Sequence, residues 1–145
     1  MILIRQAGAR DFRRILEIEN ASFGTDAWDR EIFLAYLRDY PDLFFVARLG
    51  RRICGYAVTC MDRTSAELAS IAVDPDFRGH GVGRSLLRHT ASRLRRGGMD
   101  RWWLTVRTGN ETAIAFYCRF GFTRVRRVRG YYEDGEDGWR MQRKP

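Results

Sequence analysis

The sequence predicts an α/β fold built on one mixed sheet. Three observations carry this. Apolar runs of strand length alternate with segments whose apolar residues recur at helical spacing. Two runs, "LFFVARL" and "RICGYAVTCM", are separated only by Gly50 and Arg51, the length of a hairpin loop. Two others, "SAELASIAV" and "RWWLTV", flank a single helical segment, so a right-handed crossover should lay them parallel. A hairpin and a crossover in one chain call for antiparallel and parallel pairing in the same sheet.

Taken in order, "ILIRQA" reads as a short strand. "DFRRILEIENASF" carries Phe12, Ile15, Leu16 and Phe23 near helical spacing and reads as an amphipathic helix. "DREIFLAYLRD" is a second helix, with Asp29 as N-cap and Pro41 as its stop. The hairpin follows, then "SAELASIAV", closed by "DPD". Next comes "FRGHGVGR", a turn with three glycines, Gly79, Gly81 and Gly83. The helix after it repeats Val82, Leu86, Thr90 and Leu94 every four residues and stops at Gly97 and Gly98. "RWWLTV" is a strand. "NETAIAFYCRF" is a helix capped by Asn110 and ended by Gly121. "FTRVRRV" and "GWRMQR" close the chain as strands. The predicted order is β-α-α-β-β-β-α-β-α-β-β.

A length of 145 residues fits one domain, 1–145. No apolar run approaches the roughly 20 residues of a membrane span. "MILIRQAGARDF" lacks a secretory pattern, and the expectation is a cytoplasmic protein that does not engage a membrane. Cys54, Cys60 and Cys118, an odd count without paired spacing, predict neither a disulfide framework nor a metal site. The formal net charge is +8, which attracts phosphorylated ligands and polyanions. Lys144 is the only lysine; arginine in nearly every basic position reads first as a compositional bias of the source.

The glycine turn carries the chemistry. It lies between a strand and a helix start, where unpaired N–H groups and the helix dipole receive anions. Bare glycines let phosphate oxygens reach the backbone. Arg78 and Arg84 bracket the turn and add charge-assisted donors. No GK[ST] follows and the G-x-G-x-x-G order is absent, so neither an NTP-binding loop nor a dinucleotide fingerprint is present.

"IAVDPDFRGHGVGRSLL" resembles motif A, [QR]-x-x-G-x-[GA], of the GNAT (Gcn5-related N-acetyltransferase) superfamily, with Arg78, Gly81 and Gly83 in its fixed positions. The resemblance runs over almost the whole chain. "VRTGNETAIAFYCRFGF" and "YYEDGED" are similar to the RimI-type and archaeal Ard-type protein N-terminal acetyltransferases. It implies a single-domain GNAT fold: a mixed, mostly antiparallel sheet with flanking helices, whose two parallel strands splay apart. It implies acetyl-CoA as co-substrate and no metal. The backbone of Ile71, Ala72 and Val73 would bind the pantetheine arm, and the Val73 N–H would stabilise the oxyanion. Residues Arg78, Gly79, His80, Gly81, Val82, Gly83 and Arg84 would grip the pyrophosphate. Asn110 would contact the arm, and Tyr117 would act as general acid. On its own pattern, Tyr117 reads equally as a core aromatic beside Ile114 and Phe120.

RimI-type enzymes carry a glutamate in "LEVR" as general base; this chain reads "LTVR", with Thr105 there. A neutral hydroxyl cannot collect a proton near pH 7. "AELASIAV" is similar to the strand of the histone-acetylating branch, whose glutamate deprotonates the amine, and this makes Glu67 the candidate base. Alternation places Glu67, Ala69 and Ile71 on one face and Leu68 and Ser70 on the other. Glu67 then either enters the cleft or starts an exposed strand end. An α-amine titrates near about 7.7–8.0 and a lysine near about 10.4, a gap worth roughly 3.4 kcal/mol. A weak base therefore favours an α-amine acceptor.

On the acceptor side the resemblance places Tyr131 and Tyr132 against the peptide backbone, and Trp28 in the opposite wall. Glu133, Asp134, Glu136 and Asp137 either attract a cationic N-terminus or form a solvated hairpin tip. The partner expected is a protein or peptide N-terminus, ribosomal proteins included; nucleic acid is not expected as substrate. Two rival readings remain: acetylation of a small amine of polyamine or aminoglycoside type, and a non-catalytic ribosome- or RNA-binding module.

Overall fold

The computed structural model describes all residues, Met1–Pro145. Its strands are β1 (Ile2–Gln6), β2 (Phe44–Leu49), β3 (Arg52–Asp62), β4 (Ser65–Val73), β5 (Arg101–Arg107), β6 (Thr123–Val128) and β7 (Gly138–Arg143). Its helices are α1 (Phe12–Phe23), α2 (Arg30–Asp39), α3 (Val82–Arg96) and α4 (Glu111–Arg119). Every predicted element is present, in the predicted order. The seven strands form one sheet, β1-β2-β3-β4-β5-β7-β6, parallel only between β4 and β5.

Local chemistry accounts for the helix ends. Asp29 caps α2 by accepting from the Ile32 N–H at 3.1 Å, and Asn110 caps α4 by accepting from the Ala113 N–H at 3.2 Å. On α1 the buried face is Phe12, Ile15, Ile18 and Glu19, while Phe23 is largely exposed. The predicted stripe therefore runs one residue off at its C-terminal end.

Helices cover both faces of the sheet. On one face, Val82, Leu86, Leu87 and Leu94 of α3 pack with Ala57, Leu68, Trp102, Leu104 and Met141. On the other, Phe12, Ile15 and Ile18 of α1 and Phe33 of α2 pack with Phe44, Val46, Tyr56, Val58 and Ala72. At roughly 25 cal/mol per Å² of apolar burial, these two layers supply most of the drive to fold.

Two irregularities in the sheet shape the site. β4 and β5 pair only at Ser65–Arg101, Ala66–Trp102 and Glu67–Trp103. Beyond that point β4 stays on β3 and β5 on β7, and the sheet opens into a V. The second is a bulge. Val58 pairs with Ser70, but Thr59 pairs with Leu68, so Ala69 has no partner. One extra residue reverses the alternation that follows it. The expected grouping of Glu67 with Ile71 is thereby corrected. Leu68, Ile71 and Val73 pack toward α3, while Ser70 and Ala72 turn toward α1. Glu67 shares the α1–α2 face with its cross-strand neighbour Cys60, whose thiol donates to Glu67 Oε1 at 3.7 Å.

Candidate active site

The glycine turn begins where β4 ends. Asp74 accepts from the Asp76 N–H at 2.9 Å and is paired with Arg14 and Arg52, which anchors this corner to α1 and to the β2–β3 hairpin. Gly79 and Gly81 have φ of +82° and +81°, the left-handed region that glycine adopts without strain. A Cβ on either would meet nothing within 4 Å, so both face open space. Gly83 is bare for another reason. A Cβ there would lie 2.9 Å from Phe116 Cζ, so this glycine lets α3 approach α4. Of the three glycines, two shape the anion turn and the third serves helix packing.

The N–H groups of residues 79–84 donate to no protein acceptor, and they converge at the start of α3. His80 folds back, its Nδ1–H donating toward the carbonyls of Phe77 and Arg78, both at 3.1 Å. The Val82 side chain is buried, leaving only its amide for a ligand. Arg78 is exposed and its Nε–H reaches the Val73 carbonyl at 3.3 Å; Arg84 is exposed on the first turn of α3. This cradle fits a pyrophosphate. The opened edge of β4 at Ile71–Val73 fits an extended, amide-bearing arm, because inner-strand polar groups there lack a neighbouring strand.

Tyr117, on α4, packs against Phe116 and Phe122 with ring centroids 5.4 and 5.9 Å apart. Its hydroxyl has no partner in the protein. Burial, with Tyr132 nearby, pushes its phenol well above the ordinary range, so it is protonated at pH 7 and has a proton to give. Asn110 spends its side-chain oxygen on the α4 cap, which leaves the amide NH2 free.

The opposite side of the V is bounded by the α1–α2 segment and the β6–β7 loop. Trp28 stacks on Tyr36 at 5.0 Å and meets Phe33 edge-on at 5.3 Å. Tyr131 and Tyr132 form an edge pair at 4.9 Å. The Tyr132 ring and the Tyr131 Cβ lie beside Gly138, and so does the Thr105 methyl: a Cβ on Gly138 would be 2.7 Å from Thr105 Cγ2. Burial pushes the phenols of Tyr36 and Tyr132 up to about 12. Burial also raises the Glu67 carboxyl, partly offset by the Cys60 thiol and Arg140. Glu67 is half-buried at the base of the V, not on an exposed strand end.

Two residues central to this geometry are absent from the sequence reading. Arg107, at the end of β5, donates to Asp26 at 2.6 Å, to Asp134 at 2.9 Å and to Glu136 at 2.7 Å, and lies 4.1 Å over the Tyr132 ring. One guanidinium thus joins both walls. It also answers the question of the acidic loop: Asp134 and Glu136 are spent on Arg107 and Asp137 on Arg127, leaving Glu133 without an ion pair. Nothing in the sequence marks Arg107, since Asp26 is 81 positions away. Glu19 is the other. It is 2% exposed and accepts from the Trp28 N–H at 2.9 Å, from the Ser70 hydroxyl at 3.4 Å and from the Tyr56 hydroxyl. Burial pushes its carboxyl up to about 7. A signal existed: Glu19 stands four residues after Ile15 on an otherwise apolar stripe.

The profile of the Acetyltransferase (GNAT) family matches residues 9–122. The chain belongs to this family. The acetyltransferase is 32% identical over 144 residues to an uncharacterized N-acetyltransferase of Methanocaldococcus jannaschii, covering 99% of this chain and 92% of that one. It is 37% identical over 139 residues to the N-alpha-acetyltransferase RimI of Mycobacterium tuberculosis, covering 92% and 86%. Among solved structures, Ard1 from Thermoplasma volcanium superposes with a TM-score of 0.93 at 30% identity, over 99% and 97% of the two chains. No helix of the acetyltransferase is long and apolar enough to cross a membrane.

Proposed function

We propose that the whole chain, 1–145, is one acetyltransferase domain that moves acetyl from acetyl-CoA to the α-amine of a protein or peptide N-terminus. The observation that carries this is the V between β4 and β5. An anion cradle lies on its α3–α4 side, and a cleft roofed by paired tyrosines lies on its α1–α2 side. The likeness to RimI and Ard1 supports the choice of acceptor.

Bound acetyl-CoA would supply a thioester already activated for attack by an amine. The amides of residues 79–84, with Arg78 and Arg84, hold its pyrophosphate. The free edge of Ile71–Val73 and the Asn110 amide align the arm, and the Val73 N–H faces the carbonyl oxygen as negative charge develops. Tyr117 donates a proton to the departing sulfur. Glu67, on the amine's side, takes a proton through water. Tyr131, Tyr132 and Trp28 line the path of the acceptor. A covalent acyl-enzyme is disfavoured: burial raises the Cys54 thiol, it pushes Cys60 up to about 11, and Cys118 is an exposed free thiol. Transfer is direct, within a ternary complex.

A peptide panel with varied first residues tests this, run beside a lysine peptide with a blocked N-terminus and free spermidine. Turnover of free N-termini alone is expected. Efficient transfer to the blocked lysine peptide or to spermidine overturns the reading.

A further inference from the structure

A trench of about 410 Å³ runs along the open sheet face from the base of the V. Cys60, Glu67, Trp103 and Arg140 on adjacent strands line it, together with Tyr40. Arg140 is unusual in a chain whose arginines are mostly exposed or paired. Its guanidinium is stacked 4.1 Å over Trp103, and it makes no hydrogen bond and no ion pair with any protein group. Its Nε is buried without a partner, and so is Oγ1 of Thr105, its cross-strand neighbour. An orphaned polar atom on a trench-lining guanidinium, with a second on the strand beside it, marks a place where a ligand's polar group, or the water it carries, is expected. Glu67 and Arg140 attract one another, yet no N–O contact within ion-pair distance joins them. Opposite charges held near but apart suit a ligand with both an ammonium and a carboxylate: the ammonium meets Glu67 and the carboxylate meets Arg140. The stack on Trp103 fixes the guanidinium in advance, which suits planar, bidentate recognition. Asp62 and Arg101 at the rim are exposed, where solvent and salt screen them, so the inner pair decides.

We propose that this trench is a subsite for a carboxylate carried by the acceptor close to its reacting amine, with Arg140 as the group that binds it. An extended chain advances about 3.3 Å per residue, and we assign the subsite to an acidic side chain at the second or third position of a peptide. A free amino acid with a carboxylate near its amine offers the same chemistry. The inference rests on the proposed transfer to N-terminal amines and names which ones.

The experiment compares peptides alike except for Glu, Gln or Lys at positions 2 and 3, with free glutamate as a further acceptor. Each is assayed on the wild type, Arg140→Gln and Arg140→Lys, and coenzyme binding and melting temperature are measured for each protein. The expected result is a preference of about tenfold or more in kcat/KM for Glu over Gln, as a charge-assisted pair would give. Arg140→Gln should erase it, Arg140→Lys should keep part of it, and coenzyme binding should stay unchanged. Should Arg140→Gln melt early, the comparison of wild type with Arg140→Lys decides. Peptide turnover with no charge preference, or with Lys preferred, overturns the subsite and leaves the N-terminal reading intact. Turnover of free glutamate but no peptide, lost in Arg140→Gln, keeps the subsite and overturns the N-terminal reading.

Discussion

On the α3–α4 side of the opened sheet, the groups that would hold the coenzyme come almost entirely from one stretch, Ile71–Arg84, joined by Asn110 and Tyr117. Their geometry is local: two left-handed glycines, a helix start and a helix cap. On the α1–α2 side, nothing is local. Glu19, Asp26, Trp28, Glu67, Arg107, Tyr132 and Arg140 come from five separate segments and meet through ion pairs and stacked rings. The difference teaches where such an enzyme can vary. A backbone cradle for a constant coenzyme needs little from distant residues. A cleft for a variable acceptor is held by side chains that can change one at a time.

The two sides should break differently. The largest effect is expected at Tyr117, the proposed general acid. Tyr117→Phe should lower kcat by about 10²-fold or more, the usual worth of general acid help, with the affinity for both substrates nearly unchanged. Steady-state kinetics with isothermal titration of coenzyme separates the two, and a kcat within a few-fold of wild type would make Tyr117 a packing residue.

Arg107→Ala comes next. Its loss frees Asp26, Asp134 and Glu136 from one another and uncovers Tyr132, so the acceptor walls part. A fall of roughly tenfold or more in acceptor kcat/KM is expected, most of it in KM, as truncating a hydrogen-bonded charge hub commonly costs 2 kcal/mol or more. Coenzyme affinity should hold. Equal losses on both substrates would show that the two sides are one cooperative unit.

The smallest effect concerns pH. The Glu19 carboxyl is raised from an ordinary 4.5 to about 7, so the folded chain holds a proton that the unfolded chain releases between those values. Stability from this group is fully present below about 4.5 and is lost as pH rises through about 7, a change of about 2 kcal/mol between pH 5 and pH 8. Glu19→Gln should flatten that slope in denaturant melts. It should also remove a pH dependence of acceptor KM that coenzyme affinity lacks. A slope unchanged by the substitution would assign it to another group.

Most of the fold was legible because its signals are short-range. Asp29 and Asn110 mark helix starts by their own side chains, Gly50 marks the hairpin, and the apolar spacing of Val82, Leu86, Thr90 and Leu94 needs only its own helix. The glycine turn was legible for the same reason, although Gly83 answers to Phe116 and not to a phosphate. The face of Glu67 was not fully legible. Alternation along β4 is a local rule, and the bulge that breaks it at Ala69 arises from the fit of β4 against β3.

By itself the sequence determined the order of elements, the parallel pair and the place of the glycine turn, since turn chemistry, caps and periodicity are properties of neighbouring residues. Only the tertiary structure decided how the cleft on the α1–α2 side is built. Arg107 gains its role from carboxylates 81, 27 and 29 positions away, Glu19 from a loop amide and two hydroxyls, and Arg140 from a tryptophan on the adjacent strand. Contacts between distant residues exist only once the chain has packed, because no local preference encodes which charge will lie beside which.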